Sequence, residues 1–275
     1  MQAVLQQVKQ VQTAAAGEDW ALSVEALSAG YPGDRYAVEN VSFRVRAGER
    51  VAMIGPNGAG KSTLFKAMVG LIPFTHGEIS IFGRDCHDSH SLVGYVPQHE
   101  AIDWTFPVTV RDVVMMGRAR QIGWFRWPGR QDRQTVDDLL ERLHLGAIAD
   151  RQIGQLSGGQ RRRVFIARAL AQETQVLLMD EPFTGVDSAA EQEIMQTLDL
   201  LTAQGITLVV ATHDMSKAAQ DFDRMLLVNR TVLAHGTAQE VMQPEMLRQA
   251  YGGAVRVFES DGEMFMVADE HGCGH

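Results

Sequence analysis

The 275-residue sequence is short of several things, and each shortage removes a class of protein. It has 2 cysteines, Cys86 and Cys273, far apart in the chain. That is no disulfide framework, so a reducing compartment is expected. It has no excess of positive charge. The formal net charge is -9, which argues against a nucleic-acid-binding surface. No apolar run approaches the ~18–20 residues that a membrane span needs. The first twenty residues lack a cationic start followed by an apolar block, so no secretory signal is expected there. The expected location is cytosolic, with any membrane role exerted through a partner. What is present is an ordinary apolar fraction of 45%, enough for a sizeable core.

The most informative stretch is Val51 to Thr63, VAMIGPNGAGKST. Gly55 is followed by four spacers, Pro56, Asn57, Gly58 and Ala59, and then by Gly60, Lys61, Ser62 and Thr63. This is the full phosphate-loop pattern. Arg50 to Ile54 reads as a buried strand, and Ser62 to Met68 as a helix. Glycines let the backbone wrap closely around phosphate, and the open N–H groups and helix dipole face an anion. Lys61 is expected to reach the β- and γ-phosphates, and the Ser62 hydroxyl to ligate Mg²⁺.

Upstream, Leu22 to Leu27 and Val41 to Val45 alternate with period two, as half-exposed strands do. Tyr31, near the turn between them, is a candidate to stack on a nucleotide base, and Tyr36 is its rival. Downstream, Gly77 to Gly83 reads as a strand, and Arg84 to His90 as a solvated polar loop. Cys86, His87 and His90 in that loop do not complete a four-ligand zinc pattern. Leu92 to Gln98 reads as a strand ending at Pro97, which puts Gln98 at a strand exit where ligands are met in open α/β sheets.

From His99 to about Thr174 strand alternation fades, and a helical insertion is expected. Val110–Met116 and Gln131–His144 are its clearest helices. Gly123 to Gly129 reads as a loop with exposed aromatics that suit a protein interface. Leu156-Ser157-Gly158-Gly159-Gln160 forms a second glycine-rich helix start, with Ser157 as N-cap. Arg161, Arg162 and Arg163 behind it are expected on a solvated or salt-bridged helix face.

Val176 to Met179 is an apolar strand tipped by Asp180 and Glu181. Asp180 is placed to hold Mg²⁺. Glu181, expected to point the other way along the strand, is placed to take a proton from water. Ser188 to Ala203 reads as a helix, and Ile206 to Thr212 as a buried strand that ends at His213, a candidate γ-phosphate contact. A hairpin over Met225–Gly236, a helix over Ala238–Tyr251 and a second hairpin over Val255–Val267 complete the pattern. His271, Cys273 and His275 close the tail, which reads first as a frayed terminus and alternatively as a set of transition-metal ligands.

GPNGAGKST, Gln98, LSGGQ, LLMDE and His213, in that order, resemble the ATP-binding subunit of an ABC transporter. The resemblance covers about Leu22 to Tyr251 and favours Tyr31 over Tyr36. It implies an α/β phosphate-loop NTPase fold, a RecA-like core with an antiparallel β subdomain and an inserted helical subdomain at about residues 99–174. Residues 1–20 would be an extension, 21–251 the ATP-binding domain, and 252–275 a hairpin and His/Cys tail. It implies ATP and Mg²⁺ as ligands, with Ser62, Gln98 and Asp180 on the metal. It implies a head-to-tail dimer in which Ser157, Gly158, Gly159 and Gln160 serve the partner's γ-phosphate and Gly185-Val186-Asp187 joins the two sites. Glu181 would be the base, His213 would position the γ-phosphate, and Gln98 would sense metal and water. The remaining implied partners are a membrane permease and, indirectly, an extracytoplasmic metal-binding protein, with no nucleic acid. The chain would sit peripherally on the cytoplasmic face of the membrane. The stretch from Val93 through Arg118, with IGWFRWPGR, resembles the manganese, zinc and iron uptake group. An iron-chelate or vitamin B12 importer and a soluble ABC ATPase are the alternatives.

Overall fold

A computed structural model describes residues 20–31, 36–98, 106–123, 125–252, 255–260 and 263–268. The His271–His275 tail, the N-terminal extension, Trp104 and Trp124 fall outside these residues.

The elements run β1 (Trp20–Ala29), β2 (Val38–Arg46), β3 (Arg50–Ile54), α1 (Lys61–Met68), β4 (Phe74–Ile81), β5 (Arg84–Asp85), α2 (Cys86–Ser89) and β6 (Val93–Val96). A helical stretch follows with α3 (Val110–Met116), α4 (Ala119–Ile122), α5 (Arg130–Arg142) and α6 (Gly158–Leu170). Then come β7 (Val176–Asp180), α7 (Ser188–Ala203), β8 (Thr207–Ala211), α8 (Met215–Asp221), β9 (Arg224–Asn229) and β10 (Thr231–Gly236). The chain closes with α9 (Ala238–Val241), α10 (Pro244–Tyr251), β11 (Val255–Ser260) and β12 (Glu263–Ala268). Short 3₁₀ turns lie at His90–Leu92, Gly146–Ile148 and Ile153–Gln155.

A six-stranded sheet has the order β10-β9-β3-β8-β7-β6, and a four-stranded sheet the order β2-β1-β4-β5. In the first, β6, β7, β8, β3 and β9 are parallel and β10 is antiparallel. The second is antiparallel throughout. The composition of the strands dictates this split. β7 and β8 are buried at every position, as strands covered on both faces must be. β2 alternates buried and exposed, as a strand with one wet face does.

The period of two also decides which layer each side chain joins. Val176 and Leu178 of β7 pack with the antiparallel sheet and α1. Leu177 and Met179 pack with α3, α5, α6 and α7. β8 divides likewise, Val209 and Ala211 to one side, Leu208 and Val210 to the other. A third cluster gathers β9 with α8 and α10. The helical stretch is therefore fastened to the main sheet through a shared core. Buried Arg118 reinforces it, bonding Asp132 at 3.2 Å, Glu173 at 2.7 Å and the Ala171 carbonyl at 3.1 Å.

Two expectations need correction. Arg84–His90 is not a solvated loop: it forms β5, α2 and the start of a 3₁₀ turn, with Cys86 buried in the core. No group of three or more His, Cys, Asp or Glu side chains that could hold a metal ion occurs among the described residues. Ala238–Tyr251 is two helices, because Pro244 starts a new one and offers no N–H to continue the old. The arginine run takes the salt-bridged form of its expectation. Arg163 is buried against the Leu143 carbonyl and Glu193, and Arg161 bonds the carbonyls of Ile153 and Gly154. Among the described residues no helix is long and apolar enough to cross a membrane.

Candidate functional site

The carboxyl ends of β3, β6, β7 and β8 lie at one edge of the parallel sheet, where open α/β sheets meet ligands. The loop between β3 and α1 is shaped by glycine. A Cβ on Gly55 would collide with the Val228 carbonyl, and one on Gly60 with Val38 and the Ala37 carbonyl. Gly60 holds φ +94° at the entry to α1, a left-handed backbone that L side chains rarely adopt. No side chain caps this helix. Asn57 and Gly58 are exposed at the loop's crest, and Ala59 is buried beneath it. The Arg230 amide donates to the Ala59 carbonyl at 2.9 Å and pins the loop from below.

Lys61 is buried, and its Nζ donates to the carbonyls of Gly55 at 2.6 Å and Pro56 at 3.1 Å. Burial pulls its pKa down, while the charges of Glu181 and Asp180 oppose that shift. Asp180 is also buried, and burial raises its pKa, with the Glu181 charge adding to the rise. A hydrogen bond with Ser62 and the charges of Lys61 and Lys66 act the other way. Tyr95 of β6 hydrogen-bonds Asp180, and its phenol is pushed well above the ordinary tyrosine range, first by burial and then by the Asp180 charge. Thr63 is buried at the second position after Lys61.

Glu181 follows β7 in a left-handed turn at φ +47°, its amide donating to the Ala211 carbonyl at 2.9 Å. Its direction thus comes from a turn and not from strand alternation, which corrects the sequence expectation. Its Oε2 accepts from the Gln98 amide at 2.8 Å and from the Thr184 hydroxyl at 3.0 Å. His213 Nδ1 stands 3.8 Å from the same oxygen. Gln98, Glu181 and His213 therefore converge from the exits of three strands. Tyr31 sits over α1: Lys66 Nζ donates to its hydroxyl at 3.1 Å and lies 5.9 Å from its ring centre. Tyr36 turns instead to His76, ring edge to face.

The second glycine-rich start stands apart. Ser157 accepts from the Gln160 amide at 3.3 Å, and the Gln160 side chain accepts from the Ser157 amide at 3.1 Å. This capping box satisfies the start of α6 internally. Ser157 and Gly158 are exposed, and Gly159 is buried where a Cβ would strike Ala190 of α7. Asp187 caps α7 through the Ala190 amide at 2.8 Å.

Two contributors were not recognised in sequence. Tyr95 had no signal beyond a strand position, since its partner Asp180 lies on a neighbouring strand. Arg162 was hidden in a basic run, yet its guanidinium donates to the Pro97 carbonyl at 2.9 Å.

A family model of the ABC transporter matches residues 38–184. The chain is 44% identical over 236 residues to a zinc transport system ATP-binding protein, TroB, of Treponema pallidum, covering 86% of this chain and 88% of that one. It is 42% identical over 246 residues to a manganese transport system ATP-binding protein, MntB, of Halalkalibacterium halodurans, covering 90% and 98%. Among solved structures it resembles a nucleotide-free ATP-binding cassette from an ABC transporter, with TM-score 0.73, 25% identity, and coverage of 85% and 99%.

Proposed function

Because the chain belongs to the ABC transporter family, we propose that it is the ATP-hydrolysing subunit of an importer that carries a transition-metal ion, manganese or zinc, through a separate membrane permease. The observation that supports this most is the cluster at the strand exits. Lys61, Ser62, Asp180, Gln98, Glu181 and His213 are linked by side-chain contacts and charge at the strand exits, beside a glycine cradle that side chains would fill.

The residues fit the ligands assigned to them. The cradle and the uncapped start of α1 suit phosphate oxygens, and Lys61 adds a buried cation beside them. Tyr31, half-exposed above α1, offers a face for the base. Ser62 and Asp180 present hard oxygen donors, and burial of the Asp180 carboxylate favours a nearby cation. Gln98, whose amide nitrogen is taken by Glu181, has its carbonyl oxygen left to complete the donor set. Mg²⁺ held there would neutralise charge on the phosphate oxygens. The Glu181 carboxylate, held by Gln98 and Thr184, takes the proton from the attacking water. His213 orients the γ-phosphate beside it.

Ser157, Gly158, Gly159, Gln160 and Asp187 serve a second copy bound head to tail, a role that the exposure of Ser157, Gly158 and Asp187 suits. The permease meets the helical layer, where Phe106, Phe125 and Trp127 are exposed aromatics of the kind enriched at protein interfaces. Such a subunit works at the cytoplasmic face of the membrane, and an extracytoplasmic metal-binding protein delivers the cargo. The cargo assignment rests on the zinc and manganese relatives.

Proteoliposomes holding this chain and its permease test the reading. With internal ATP, the native protein should accumulate radiolabelled Mn²⁺ or Zn²⁺. Glu181→Gln should abolish uptake, slow ATP hydrolysis by ~10²–10⁴-fold and trap an ATP-bound dimer. Hydrolysis at the native rate in that variant removes the base, and uptake of neither metal removes the cargo.

A further inference from the structure

α6 starts at the exposed Ser157–Gly158 edge, and Arg162 lies four residues further along the same helix. At about 1.5 Å rise per residue, that is roughly 6 Å of rigid rod. The Arg162 guanidinium reaches across to two strand exits at once. Nη1 donates to the Pro97 carbonyl at 2.9 Å, while Nη2 faces the carbonyls of Gln98 at 3.5 Å and Glu181 at 3.4 Å. The Gln98 side chain returns to the Glu181 carboxylate at 2.8 Å. Helix, β6 exit and β7 exit thus form a closed ring of contacts. A planar fork of donors with a permanent charge can hold several carbonyls in fixed relative positions, which a lysine ammonium does less well. At the other end, Gly159 lies so close to Ala190 that α6 cannot shift there without disturbing α7.

We propose that Arg162 is a positioning residue that couples the two nucleotide sites of the paired protein. It transmits contact made at the α6 start, against the partner's nucleotide, to Gln98 and Glu181, which act on the chain's own nucleotide. The inference rests on the head-to-tail pairing proposed above. A small displacement of the α6 start moves the guanidinium, and with it the backbone of both hydrolytic residues. Without the guanidinium, each site fires with no information about the other.

The test has two arms. In the first, full-length Glu181→Gln is mixed with ATP and Mg²⁺ and its mass is read by light scattering. Failure to dimerise there overturns the pairing itself, separately from the role of Arg162. In the second, the ATP dependence of hydrolysis is measured for the native chain, Arg162→Met and Arg162→Lys, with a thermal midpoint for each. The native curve should be sigmoidal, with a Hill coefficient near ~2 for two sites, falling to ~1 in Arg162→Met. The maximal rate should fall about 5- to 20-fold. Arg162→Lys should give an intermediate coefficient, and it carries the reading if Arg162→Met does not fold. A hyperbolic native curve, or coefficients unchanged in the folded variants, overturns the proposal.

Discussion

The chain has two glycine-rich helix starts, and they are built in opposite ways. α1 begins at left-handed Gly60 with no side-chain cap, over a buried lysine. α6 begins at Ser157 with a reciprocal cap from Gln160, on an exposed edge. A helix start leaves backbone donors that need acceptors. At α1 no side chain of the described residues caps the start, which leaves its donors open to an anion. At α6 the box between Ser157 and Gln160 satisfies two amides internally, so a ligand arriving there meets a start that is already partly capped. Under the function proposed above, the first start would hold a nucleotide and the second would meet one held by the partner. The electrostatics agree. Burial and then neighbouring charge shift Lys61 and Asp180 near α1, whereas Ser157 and Gln160 are uncharged.

Three substitutions probe that contrast, in descending order of effect. Lys61→Ala should be the most severe, removing the buried cation from the cradle. ATP hydrolysis should fall by at least ~10²-fold, and binding of a fluorescent nucleotide should weaken with it. Near-native turnover would mean that the two starts differ in appearance only. Gly159→Ala should rank next. Its new methyl meets Ala190, so α6 and α7 must separate, at about 1–3 kcal/mol in denaturant unfolding. ATP-driven pairing should weaken too, and an undiminished stability would show the α6–α7 contact to be loose. Ser157→Ala should cost least, about 1 kcal/mol for loss of the cap. A larger loss in turnover than in stability would show that this hydroxyl also meets the ligand.

What could be read in advance was mostly local. The phosphate loop was legible because its strand, glycines and helix start lie within thirteen residues, and backbone geometry alone demands those residue types. β7 and β8 were legible because continuous apolar runs admit few other fates. Gln98, Glu181 and His213 were suggested by their position at strand exits, whereas Tyr31 was preferred to Tyr36 only through the family resemblance. The errors arose where the deciding partner was distant in sequence or where one residue overrode a local pattern. Arg162 is 64 residues from the Gln98 carbonyl it faces. Polar composition around Cys86 suggested solvent, but tertiary packing put its thiol in the core. In the Ala238–Tyr251 stretch, helical periodicity masked the interruption that Pro244 imposes.

The alternating allotment of β7 side chains to two layers has a consequence for how this chain can vary. Asp180 and Glu181 ride on the end of that strand, so core and chemistry share one reading frame. Deleting or inserting a single residue within Val176–Asp180 would send every apolar side chain to the opposite layer and dislodge both acids together. Length change should therefore be tolerated in surface connections and purged from this strand, so that drift here proceeds by exchange of residues alone.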